Sequence, residues 1–109
     1  MLLKVGRHLR PRPNFKVIVG REEGENRFLE GYRKRFVHMI PTSHTGPLVL
    51  LDGEVSEDDI ELAARLTARF SQGRDARQVT VEVTPLDSDT RRLEVVPLTA
   101  DEIPAGWYI

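Results

Sequence analysis

The chain has 109 residues, no cysteine, and 16 Lys or Arg against 17 Asp or Glu, for a net charge of −1. That length predicts a single domain, 1–109, able to bury a core of its own. Without cysteine, disulfides, thiolate metal sites and thiol redox chemistry are excluded, and no apolar run approaches the roughly 18 residues of a membrane span. Met1-Leu2-Leu3-Lys4-Val5-Gly6 is charged too early to read as a secretory signal, so a cytoplasmic location is expected.

Leu2, Leu3 and Val5 predict a short first strand. Gly6 to Asn14 follows as a basic loop, its helical potential removed by Pro11 and Pro13. Phe15-Lys16-Val17-Ile18-Val19 is rich in strand formers and stops at Gly20. These pieces predict an N-terminal hairpin with the basic loop at its tip. A first helix is expected over about 23–34. Acids load its first turn, Arg33 and Lys34 stand near its end, and Phe28, Leu29 and Tyr32 form its apolar stripe.

Phe36–Ile40 and Leu48–Leu51 read as strands, the second uninterruptedly apolar and therefore central. A second helix is expected over about 56–72. Ser56 is its N-cap and Asp59 stands at the capping-box position. Ile60, Ala63, Ala64, Thr67 and Phe70 make its buried face, and Gly73 follows its end. Gln78–Thr84 alternates Val79, Val81 and Val83 with polar residues, and Leu93, Val95 and Val96 mark a returning strand, a C-terminal hairpin. Trp107 and Tyr108 are expected to dock on the body. The fold class is α+β: a single mixed, mainly antiparallel sheet with β-hairpins at both ends and two helices.

Charge is segregated along the chain. Residues 1–44 hold ten bases and four acids, a net +6, and the remainder is −7. Such asymmetry points to a polyanionic partner for the basic part, against the simpler reading of a solvated surface. Catalysis is not expected. His8, His38 and His44 show no metal-ligand spacing, no cofactor loop is present, and adjacent Ser43 and His44 would point apart on a strand. Arg7, His8, Arg10, Arg12 and Lys16 instead form a basic segment suited to phosphates. The helix start after Gly20-Arg21 offers free N–H groups, although Glu22, Glu23 and Glu25 already occupy that end. Arg74 extends the basic surface or stabilises a helix end. Aromatics are few and none is interleaved with the basic segment, so a stacking platform is not indicated.

Gly20-Arg21-x-x-x-Glu25-Asn26 resembles the Gly-Arg-Asn-x-x-Glu-Asn signature of the NFACT-R type of RNA-binding domain. Ser43-His44 falls where that family has Pro-Gly-Ser-His. Ala63-Ala64 through Phe70-Ser71, followed by Val79-Thr80-Val81, resembles its Ala-Ala helix and next strand. Gly6-Arg7-His8-Leu9-Arg10 is similar to the start of a bacterial subgroup found at the C-terminus of PP-loop ATPases of the tRNA-thiouridylase type. The similarity runs over about residues 4–98. Glu22 and Thr42 replace the family's Asn and Gly, and Phe36-Val37-His38 stands for its Trp-Phe-His. These departures favour the tRNA-modification subgroup.

The resemblance implies an RNA partner, tRNA above all, with a PP-loop ATPase in the same or another chain supplying the chemistry. Arg7, Arg10, Arg12, Lys16 and Arg21 would meet phosphates, joined by Arg74. His8, Asn26, Ser43 and His44 would add polar contacts or order the loops. A protein-interaction or dimerisation module of a larger enzyme is the competing expectation.

Overall fold

In the computed structural model, which describes residues 5–109, six strands and two helices follow the order β1 (Arg7–Arg12), β2 (Phe15–Val19), α1 (Glu23–Glu30), β3 (Val37–Pro41), β4 (Val49–Gly53), α2 (Glu57–Arg69), β5 (Val79–Thr84) and β6 (Arg91–Val95). The strands form one sheet in the order β1-β2-β4-β3-β5-β6, and each of these pairings is antiparallel. The expected α+β domain with terminal hairpins is therefore observed.

The first hairpin differs from the expectation in its register. Leu2 to Lys4 of the expected first strand lie outside the described residues, and Val5 sits in a bend. The basic segment is itself the strand, pairing Arg7 with Val19 and Arg12 with Phe15, and the turn is Pro13-Asn14. Proline is tolerated there because β1 is an outer strand with one extra residue between Leu9 and Arg12. The C-terminal tail lies along that outer edge: Leu9 bridges Tyr108, and the Ile109 N–H donates to the His8 carbonyl at 3.1 Å. Covering the edge removes a site for unwanted strand pairing.

The two faces of the sheet are unequal. One is covered by α2, where Phe15, Val17, Met39, Leu51, Val79, Val81 and Val83 pack with Ile60, Ala63, Ala64 and Leu66. On the other, α1 covers only the β2–β4 region through Leu29, against Ile18, Leu48 and Leu50. β2 and β4 are thus apolar on both faces, which explains the unbroken run at Leu48–Leu51.

Both helices are shorter than predicted. α1 ends at Gly31, whose N–H bonds the Phe28 carbonyl at 3.2 Å, and Arg33–Arg35 form a separate 3-10 turn. Glycine weakens a helix, and the chain must turn here to enter β3. α2 stops at Arg69 because Ser71 diverts the ladder. Its hydroxyl donates to the Ala68 carbonyl at 2.7 Å and accepts from the Gly73 N–H at 3.0 Å. Gly73 is not a left-handed cap but a buried contact. At the other end of α2 the capping box is present, with Ser56 and Asp59 bonded reciprocally. Within α1, a Cβ added at Gly24 would meet nothing within 4 Å. Gly24→Ala should therefore stabilise the domain by about 0.5 kcal/mol, read as a higher urea midpoint with unchanged slope.

Candidate nucleic-acid interface

At one end of the sheet β2 and β3 finish and β4 and β5 begin, since Val19 pairs with Val49, Met39 with Val49 and Pro41 with Val81. α1 departs from this end and α2 arrives at it. Three polar segments, Gly20–Asn26, Thr42–Pro47 and Phe70–Arg77, consequently converge. The Gly20 N–H donates to the Leu48 carbonyl at 3.1 Å, and Asn26 Oδ1 accepts from the Leu48 N–H at 3.2 Å. A Cβ on Gly20 would stand 1.8 Å from that Oδ1, so any side chain here displaces Asn26 from its bond to Leu48. The Gln72 N–H donates to the Thr45 carbonyl at 2.7 Å, and the backbone of Gly73 packs so closely on the His44 ring that a Cβ there would lie 2.7 Å from it.

Arg21 and Glu25 form a two-pronged ion pair: Nε to Oε1 is 3.0 Å and Nη2 to Oε2 is 2.8 Å. Glu25 also accepts the N–H groups of Arg21, at 2.9 Å, and of Gly6, at 3.2 Å. The Arg21 side chain, then its backbone N–H, hold the Glu25 carboxyl down to about 2 against the opposing effect of desolvation. The Arg21 side chain is pinned by this pair and yet remains 54% exposed. Of the other acids at this helix start, Glu23 pairs with Arg27 at 2.9 Å, while Glu22 makes no ion pair among the described residues and adds negative charge near Arg21.

Arg7 stands beside Arg21. Its guanidinium carbon lies 5.0 Å from the Phe70 ring centroid and 6.0 Å from that of Tyr108, and it has no carboxylate partner among the described residues. A narrow cleft of about 110 Å³ separates Arg7 from Arg21, lined also by Val19, Gly20 and Phe70. Ser43 and His44 do not point apart, as a strand would require. They sit in a bend, and Ser43 Oγ lies 2.8 Å from His44 Nδ1 while accepting the Thr80 N–H at 2.9 Å. Ser43 thereby ties the His44 ring to the start of β5.

Not every basic residue of the N-terminal part reaches this surface. Residues 7 and 12 are separated by about 16 Å along an extended strand. Arg12 is bonded to Asp59 at the far end, where α2 begins, and Arg10 turns to the Pro13 carbonyl at 3.3 Å. Lys16 is only 7% exposed, inside the sheet. His8 is half-buried, with Nε2 3.1 Å from the Val5 carbonyl. Arg7, Arg21, Asn26, Ser43 and His44 are brought to one end, and exposed Arg74 adjoins them through Gly73. Phe70, Gln72, Thr45 and Tyr108 belong to the same surface. Phe70 continued the apolar stripe of α2 and read as core, and Tyr108 lay a hundred residues from Arg7.

The linear charge asymmetry becomes partly spatial. Glu54, Glu57, Asp58, Asp87 and Asp89 lie at the far end, where Arg91 pairs with Glu57, although Arg33–Arg35 share that end. Among the described residues, no group of three or more His, Asp or Glu side chains is placed to hold a metal ion, and no helix is long and apolar enough to cross a membrane.

Comparison with known proteins places this arrangement. The family model described as the NFACT protein RNA binding domain matches residues 6–108. The chain belongs to the NFACT RNA-binding domain family. RNA is accordingly the partner class of this NFACT domain. Among solved structures, the C-terminal part of the fibronectin/fibrinogen-binding protein from Streptococcus suis superposes with a TM-score of 0.76 at 21% identity, covering 94% of this chain and 49% of that one. That likeness concerns the fold, and this chain spans about half the length of that structure. No curated protein matches. Within the NFACT domain the signature residues now have physical roles: Glu25 pins Arg21, while Gly20 and Asn26 lock the helix start to β4.

Proposed function

We propose that this NFACT domain binds tRNA through the end of the sheet that carries Arg7, Arg21 and Arg74, and holds it for thiolation by a PP-loop ATPase in the same or another chain. In this reading the domain performs no catalysis of its own and works in the cytoplasm. The observation that carries it is the juxtaposition of Arg7 with Arg21 across one narrow cleft, in a chain of an RNA-binding family. The similarity of Gly6-Arg7-His8-Leu9-Arg10 to the thiouridylase-linked subgroup supports the choice of tRNA and of the enzyme. Arg10, Arg12 and Lys16 have lesser parts, because each is engaged or buried elsewhere.

Titration with tRNA at two salt concentrations tests the reading. Arg7→Glu combined with Arg74→Glu should weaken binding at least about tenfold and lower the salt slope by about 2, since each removes a phosphate contact. Arg92→Glu, on β6 at the other sheet edge, should leave affinity within about twofold. Binding that ignores both salt and the Arg7/Arg74 pair would overturn the proposal.

A further inference from the structure

We infer that the Arg7–Arg21 end takes an unpaired stretch of RNA, with a phosphate between the two guanidinium groups and a base in the cleft on either side. The inference rests on the RNA-binding reading above and specifies the form of RNA. Three depressions run side by side. The central one, of about 110 Å³, lies between Arg7 and Arg21, small and doubly cationic, as a phosphate requires. On the tail side, a cleft of about 340 Å³ is bounded by Arg7, Arg21, His8 and Tyr108. On the loop side, one of about 410 Å³ is bounded by Arg21, Phe70, Thr45, Gly46 and Gln72. The outer two fall within the roughly 300–1,000 Å³ of small-ligand pockets.

Each outer cleft combines a ring with polar groups. Tyr108 is 43% exposed, so much of its side chain is open to solvent, and Phe70 is half-buried beneath Arg7. Arg7 lying against both rings extends the flat surface on which a base can stack. Thr45 and Gln72 are exposed on the loop side, where their polar groups can meet a base edge. An A-form duplex offers neither cleft a base, since its bases are stacked inside and its phosphates lie on ridges. The tail contributes through Ile109, whose N–H bonds the His8 carbonyl at 3.1 Å and so holds Tyr108 against β1. A duplex would therefore touch only the guanidinium groups, whereas a single strand engages all three depressions.

The test uses fluorescence anisotropy with an unstructured RNA of about ten nucleotides and an RNA duplex of about 16 base pairs. The single strand should bind at least about tenfold tighter than the duplex. Tyr108→Leu should weaken single-strand binding about tenfold and duplex binding less than twofold, while Tyr108→Phe, which keeps the ring, should restore it. Circular dichroism of each variant checks that the fold is kept. Equal affinity for the two RNAs, or an unchanged single-strand affinity in Tyr108→Leu, overturns the inference. If tRNA still binds in that case, only the unpaired-nucleotide inference falls. If neither oligonucleotide nor tRNA binds, the tRNA proposal fails with it.

Discussion

Replacing Asp59 with alanine should destabilise the domain by roughly 2–3 kcal/mol, seen as a Tm lower by about 10 °C. Asp59 is 4% exposed and accepts from the Ser56 N–H at 3.0 Å, from Asn14 Nδ2 at 2.8 Å and from Arg12. Alanine leaves the Ser56 N–H without this acceptor, removes the carboxylate shared by Arg12 and Asn14, and abolishes the capping box of α2. It also cuts the tie between the start of α2 and the β1–β2 turn. The Ser56 backbone N–H is the largest cause that holds the Asp59 carboxyl down to about 2, ahead of the opposing desolvation and the bonds from Asn14 and Arg12. A folded-state value below the unfolded one means that this stabilisation is complete above the unfolded pKa of about 4 and is lost as pH falls toward 2. The Tm difference between wild type and Asp59→Asn should therefore shrink over pH 4 to 2 and be constant above pH 5. A difference that is flat across the acid range would show that Asp59 is not held ionised by these partners.

The second large effect is expected at Gly20. Gly20→Ala places a methyl carbon 1.8 Å from Asn26 Oδ1, which must swing away and release the Leu48 N–H. The loss should be about 2–3 kcal/mol, with the Arg21 end loosened and RNA affinity reduced. Asn26→Ala removes the same latch and should cost about 1–2 kcal/mol. Because both variants break one contact, the double variant should fall short of the summed losses by about 1 kcal/mol. Strict additivity in urea unfolding would separate the two residues and remove the latch as the reason for glycine here.

Much of the fold was legible because its signals are local. The alternation of Val79, Val81 and Val83 marks a half-buried strand, and Ser56 with Asp59 marks the start of α2. The unbroken apolar run in β4 correctly announced a central strand. Element ends were less legible, because distant partners set them. Ser71 and the Thr45 carbonyl end α2 early. β1 accepts Pro11 only because it is an outer strand, a property of the sheet order and not of the segment.

The sequence by itself determined the C-terminal hairpin, the second helix with its cap, the excess of positive charge in the first 44 residues and the signature at Gly20–Asn26. Those features depend on near neighbours, on residue type and on composition. Only the tertiary structure decided which cations act together. Extension along β1 separates Arg7 from Arg12, burial withdraws Lys16, and the crossing of strand order brings Arg21, His44 and Arg74 to one end. It also set Phe70 and Tyr108 beside Arg7, since a ring 63 or 101 residues away in the chain can be adjacent only through folding. The physical reason is that hydrogen-bond pairing of strands, which fixes neighbours in space, is blind to the distance between them in sequence.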